Sequence, residues 1–186
     1  MNKNLNIIVF VCLMMVAVKE NLSAQLLVSQ SKNIGVSIGD IAIMDIEPSG
    51  EIQLATSSIS EAGLGFSQPL AEDQSKWINY SCSDRSGNTK RIDVNVTAGS
   101  IPDGLILKLT AANYLRSGDG VLGISTGEKV LTSAPQVILD NIVRGYTGSG
   151  AGNGHRLTYT LEVDEFGDLS ESSAAVVTVH FTITDN

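Results

Sequence analysis

Apolar residues return at every second position in seven separate stretches of this chain. Ile34, Val36 and Ile38 are spaced by Gly35 and Ser37, and Ile52 and Leu54 by Gln53. Ile78, Tyr80 and Cys82 are spaced by Asn79 and Ser81, and Ile92, Val94 and Val96 by Asp93 and Asn95. Leu105, Leu107 and Leu109 follow, then Leu157, Tyr159, Leu161 and Val163, then Val177, Val179, Phe181 and Ile183. This period places one set of side chains on a core face and the other toward water, the pattern of half-buried strands. The breaks carry turn chemistry. Pro48-Ser49-Gly50, Pro102-Asp103-Gly104 and Ser117-Gly118-Asp119-Gly120 are turn signals, and Ser86-Gly87-Asn88 reads as a hairpin loop. Short one-sided strands with almost no helical pattern between them predict an all-β, antiparallel β-sandwich of the immunoglobulin-like kind. One segment is ambiguous. Val137-Ile138-Leu139 and Ile142-Val143 suit one face of a helix opened by Ser133 and stopped at Gly145, or a buried strand with a turn at Asp140-Asn141. The strand is the preferred reading.

The first residues follow another logic. Lys3 precedes the twelve-residue apolar run Ile7 to Val18, and Ala24 is a small residue before Gln25. This is the layout of a secretory signal peptide over 1–24, too short to span a bilayer comfortably. The reading leaves a single domain, 25–186, exported to the periplasm, the cell surface or the medium. That chain keeps one cysteine, Cys82. Its place in an alternating run marks it as a small buried hydrophobe, and the core must form without a disulfide.

Charge excludes some partners. Without Lys3, Lys19 and Glu20, 10 basic and 19 acidic residues remain, a net charge of −9. Lys90-Arg91 is the only basic pair after the signal. Nucleic acid and anionic membrane surfaces find no electrostatic footprint here.

Four glycines, Gly148, Gly150, Gly152 and Gly154, fall within seven residues. A dinucleotide fingerprint needs glycine at relative positions 1, 3 and 6, but the sixth position is Asn153 or His155. The run also leads into a strand pattern and not a helix, so it reads as a turn or surface loop whose glycines permit positive φ or close backbone approach. Gly123-Ile124-Ser125-Thr126-Gly127 matches a nucleophile elbow, with Asp164 or Asp168 and His180 following in hydrolase order. No helix pattern follows the serine, and His180 sits in an alternating strand, so the match is read as chance and the protein as non-enzymatic. Glu162, Asp164, Glu165, Asp168 and Glu171 form an acidic cluster beside Gly167. Asp164, Glu165, Asp168 and Glu171 are calcium candidates, although the EF-hand spacing is missing; a solvated hairpin loop between the last two strands is the plainer alternative. Two histidines and one cysteine serve zinc poorly, and no cofactor is expected. Asn79-Tyr80-Ser81 and Asn95-Val96-Thr97 match the glycosylation triplet but fall in expected strands.

Trp77-Ile78-Asn79-Tyr80-Ser81, Ile101-Pro102-Asp103-Gly104-Leu105, Tyr146-Thr147-Gly148, Leu157-Thr158-Tyr159 and the closing Val177 to Thr184 together resemble secreted proteins of Bacteroidetes-type bacteria. More distantly they resemble pilin-like and spore-coat-U-like β-sandwich subunits of chaperone–usher systems, without the disulfide common in such pilins. The resemblance implies a structural or adhesive subunit of fimbrial type. Such a subunit assembles by strand donation with copies of itself or with related surface subunits. Ile34, Val36 and Ile38 are then the donor-strand candidates; the alternative is that they form the first strand of their own domain. A second functional reading is a secreted monomeric module that binds a glycan or calcium through loops 145–156 and 162–171. A small hydrolase using Ser125 ranks last.

Overall fold

A computed structural model describes residues 31–56, 59, 61–83, 87–114, 118–169 and 175–186. The segment 1–24, read from the sequence as a signal peptide, lies outside them. The chain divides into a unit ending at Ser37 and a unit from Ile38 to Asn186, and among the described residues every strand lies in the second.

The strands are β1 (Ile41–Glu47), β2 (Ala71–Ser83), β3 (Lys90–Ala98), β4 (Leu105–Ala111), β5 (Asp119–Gly120), β6 (Ile124–Ser125), β7 (Lys129–Val130), β8 (Gln136–Ile142), β9 (Gly145–Tyr146), β10 (His155–Val163) and β11 (Thr178–Asp185). One 3-10 turn, Phe166–Asp168, is the sole helical element among the described residues. No helix there is long and apolar enough to cross a membrane.

All pairings are antiparallel and build two sheets. In the first, β1 lies along one edge of β2. Along the other edge β10 pairs with Ala71 to Ile78, and β9 with Ser81 and Cys82. β4 and then β7 continue beyond β10, and β5 beyond β9. The second sheet runs β11-β3-β8-β6. One shared core unites them, with Ile78, Tyr80, Leu109 and Leu157 from the first sheet meeting Ile92, Val94, Ile138 and Leu139 from the second.

Every alternation from residue 78 onward that the sequence displays is a strand here, and the ambiguous segment is a strand too. Asp140-Asn141 is no turn between strands. It is an irregularity inside β8, where Asn141 takes φ 59° and the register with β3 shifts. Two expectations are corrected. The loop containing Gly87 and Asn88 is not a hairpin, because β2 and β3 lie in different sheets, and β10 and β11 are split likewise. From β2 on, each long strand lies in the other sheet from the long strand before it. Turn residues end a strand in the same way whether the chain returns beside it or crosses the core. The run at Ile34 to Ile38 also forms no strand, and neither does Ile52 to Leu54. Gly35, Ser37 and Gly39 lack the side chains that favour a pleated surface. Ile52 and Leu54 instead pack on the core from an irregular segment.

Lys76 falls on the core face of β2, where alternation calls for an apolar residue. Its ammonium donates to the carbonyls of Pro48 and Gly50, each at 2.7 Å. The aliphatic stem is buried while the charge is satisfied at the core's rim.

Candidate functional site

The two long sides of the sandwich are finished differently. On one, the segment after β7 stitches the sheets together. The Leu131 N–H donates to Leu107 in the first sheet, and the Thr132 carbonyl accepts from Val96 N–H in the second, both at 2.8 Å. The Leu131 side chain is buried between them. On the other side β1 and β11 approach one another. Among the described residues each pairs with a single neighbour, β2 or β3, and so presents a free strand edge. Their inward side chains, Met44 and Ile46 on β1 and Val179, Phe181 and Ile183 on β11, pack on the core but remain only half-buried. This open seam is the principal candidate site. The donor-strand candidates Ile34, Val36 and Ile38 are 81%, 83% and 72% exposed.

A second feature lies on the outer face of the first sheet. β2 loses its partner between β9, which ends at Tyr146, and β10, which begins at His155. The glycine run fills that gap. All four glycines take positive φ, 78° to 88°. Asn153 holds the loop by donating from Nδ2 to the Ser149 carbonyl at 2.8 Å. Gly154 allows a close approach, since a Cβ there would meet the Ile78 carbonyl oxygen at 2.1 Å. The loop has the turn chemistry its sequence implies and no helix behind it. Beneath it, Asn79 and Thr147 are buried. Thr147 is fully paired with the Tyr80 backbone, which donates from N–H to Thr147 Oγ1 at 3.0 Å and accepts from Thr147 N–H at 3.0 Å.

Behind the loop, a polar network crosses the interior. His155 Nδ1 is 2.8 Å from the Ala112 carbonyl, which can only accept, so Nδ1 carries the proton. Nε2 then accepts from the Tyr80 hydroxyl at 3.0 Å, and that oxygen accepts from Gly123 N–H at 2.7 Å. Burial pushes the His155 pKa below its usual value, with the Ala112 hydrogen bond opposing, and burial pushes the Tyr80 phenol up. The ring is a neutral structural imidazole. Nothing in the alternation identifies its network, because partners come from β2, β10 and the segments following β4 and β5.

The other sequence candidates are dispersed. Ser125 lies on β6 and His180 on β11, the two outer strands of the second sheet with β3 and β8 between them. Strands are spaced about 4.8 Å apart, so roughly 14 Å separates these positions, far beyond the reach of a nucleophile and its base. Ser125 Oγ accepts from Gly127 N–H at 3.2 Å, within its own turn. In the acidic cluster, Glu162 is held by Lys108 at 2.7 Å, and Lys108 also meets Glu128 at 3.3 Å. The backbone N–H groups of Asp164 and Glu165 both donate to the Gly104 carbonyl, and Asp168 closes the 3-10 turn. Glu171 lies outside the described residues. Among those described, no three His, Cys, Asp or Glu side chains come together to hold a metal ion. Cys82 is buried in the core as a free thiol, its pKa raised by burial.

Comparison with protein families, with curated proteins and with solved structures finds no match.

Proposed function

We propose that this chain is an exported, non-enzymatic structural subunit with a pilin-like sandwich, and that it assembles by accepting an extended strand into the seam between β1 and β11. The observation that carries the reading is the β11 edge. Among the described residues it combines an outer edge without a strand partner with an inward row, Val179, Phe181 and Ile183, that stays half-covered. An added strand supplies backbone hydrogen bonds to such an edge and side chains at alternate positions to the gap. The segment at residues 31–40 has the matching form. Ile34, Val36 and Ile38 span the same four-residue interval as Val179 to Ile183, about 13 Å in extended chain, and all three are exposed. Burying each apolar side chain contributes about 1.5–3 kcal/mol, offset by ordering the donor. The twelve-residue apolar run near the N-terminus supports export, and the net charge of −9 on residues 25–186 keeps the subunit from nucleic acid and anionic lipid.

Size-exclusion chromatography of residues 25–186 and 40–186 tests the reading. The longer form is expected to associate in a concentration-dependent way and the shorter to run as a monomer that a synthetic peptide of residues 31–40 stabilises against heat. Monomers in both cases, with no thermal shift from the peptide, refute strand donation.

A further inference from the structure

We propose that His155 is an acid-operated latch for segment 119–125: one proton taken up at Nε2 breaks the interior hydrogen-bond chain and frees this segment from the core, while the two sheets stay assembled. The chain of bonds has a fixed direction. Nδ1–H donates to the Ala112 carbonyl, so Nε2 is the ring nitrogen left to receive a proton, and it already accepts from the Tyr80 hydroxyl at 3.0 Å. The same hydroxyl oxygen accepts from Gly123 N–H at 2.7 Å. A proton on Nε2 turns that nitrogen into a donor. Tyr80 must then accept from it, its own hydrogen loses its acceptor, and a positive charge stands at a residue with no exposed surface. The surroundings supply no counter-charge. Tyr80 faces the ring from β2, with Cys82 near it, and Tyr114 faces it from the segment after β4; both phenol rings lie 5.7 Å from the imidazole. Gly123 and Thr147, from the segment after β5 and from the end of β9, carry no titratable group. Among the described residues, burial and the Ala112 carbonyl govern the proton affinity of His155.

The segment that Gly123 anchors has few other ties. It contains the two-residue strands β5 and β6, which pair with β9 and β8 at two positions each. Val121 N–H donates to the Arg144 carbonyl at 2.8 Å, and the Val121 carbonyl accepts from Val143 N–H at 3.1 Å. Ser125 N–H donates to the Asn113 side chain at 3.0 Å. Leu122 packs on the core, but Val121 and Ile124 are exposed. β10 and β4, by contrast, share seven paired positions. Lifting 119–125 therefore uncovers Leu122 and lets water reach the imidazolium without unzipping a long strand. The sign of the pH effect follows. Burial holds the pKa of His155 in the closed form below 6.5, and a ring open to water returns toward that value. The open form binds the proton more tightly, so opening is favoured as pH falls below 6.5 and levels off at the closed-state pKa. Between those limits the open population rises about tenfold per pH unit.

Native-state hydrogen exchange of the full chain, followed by mass spectrometry from about pH 7 to about pH 4 and corrected for intrinsic exchange rates, tests the latch. The amides of 119–125 are expected to lose protection by about tenfold per pH unit over part of this range, while those of β3 and β10 keep theirs. His155→Gln, whose carboxamide can donate to Ala112 and accept from Tyr80 without titrating, is expected to abolish the pH dependence. Tyr80→Phe takes the acceptor from Gly123 N–H and is expected to open the segment already at neutral pH; it carries the test if His155→Gln does not fold. Protection of 119–125 that is flat with pH, that falls together with every strand, or that falls equally in His155→Gln overturns the proposal. So does parent-like protection of the segment at neutral pH in Tyr80→Phe. None of these results bears on the chromatography of the shortened chain.

Discussion

The stitched side and the open side of this sandwich are built from the same kinds of residue, yet they finish differently. At the stitched side the chain supplies its own closure. Leu131 is 2% exposed and the Leu131-Thr132 backbone bonds to both sheets. At the open side Phe181 and Ile183 point toward the same core, but among the described residues no further strand covers them. The difference shows that hydrophobic alternation makes a surface to be covered, and that connectivity decides who covers it.

That contrast can be broken or sharpened by mutation. Leu131→Ala should cost about 2–5 kcal/mol in urea unfolding, because it opens a cavity where both sheets meet. Phe181→Ala should cost only about 1 kcal/mol in the isolated subunit, since part of its surface is already in water. It should cost distinctly more in chains carrying a bound donor strand. Equal losses at the two positions without a donor would erase the distinction. Gly154→Ala should cost about 1–3 kcal/mol, through positive φ and the clash with the Ile78 carbonyl. A variant as stable as the parent would show that the glycine loop is not locked onto β2.

The smallest effect is a slope with pH. His155 has a folded pKa below the ordinary value of 6.5 because it is buried. As pH falls below about 6.5 the unfolded chain takes up a proton that the folded chain refuses, so stability declines until the folded pKa is reached. His155→Gln should flatten this part of the stability profile between neutral pH and the acid limb. A melting curve whose acid dependence survives the substitution would assign the slope to the carboxylates instead.

Much of the architecture was legible in the residues. The period-two runs at 78–82, 92–96, 105–109, 157–163 and 179–183 are strands, Cys82 is core, and the glycine run turns the chain. What alternation does not encode is the sheet to which a strand belongs. Gly87-Asn88 and the acidic loop look like hairpin turns, but the chain crosses the core at both. β1 is hard to read between Gly39 and Pro48 because the apolar Ile41 and Ile43 face outward on an edge. The buried amide of Asn79 hides for a related reason. Asn79 sits on the polar half of its strand, where asparagine is ordinary, and only the gap between β9 and β10 buries it. Its flanking alternation with Trp77 and Ser81 gives the face, and the glycine loop that covers it is more than sixty positions away.

The repeated passage from one sheet to the other has a consequence for how the chain reaches its final state. Neither sheet is contiguous in sequence, so no half of the molecule can be completed early and kept. β3 waits for β11, whose pairing runs from Thr178↔Ala98 to Asp185↔Lys90 and is secured by the Lys90–Asp185 ion pair. Contacts spanning such distances along the chain slow folding. Until the last strand arrives, the edge of β3 stands open, and a crowded compartment would favour any companion able to shield it during that interval.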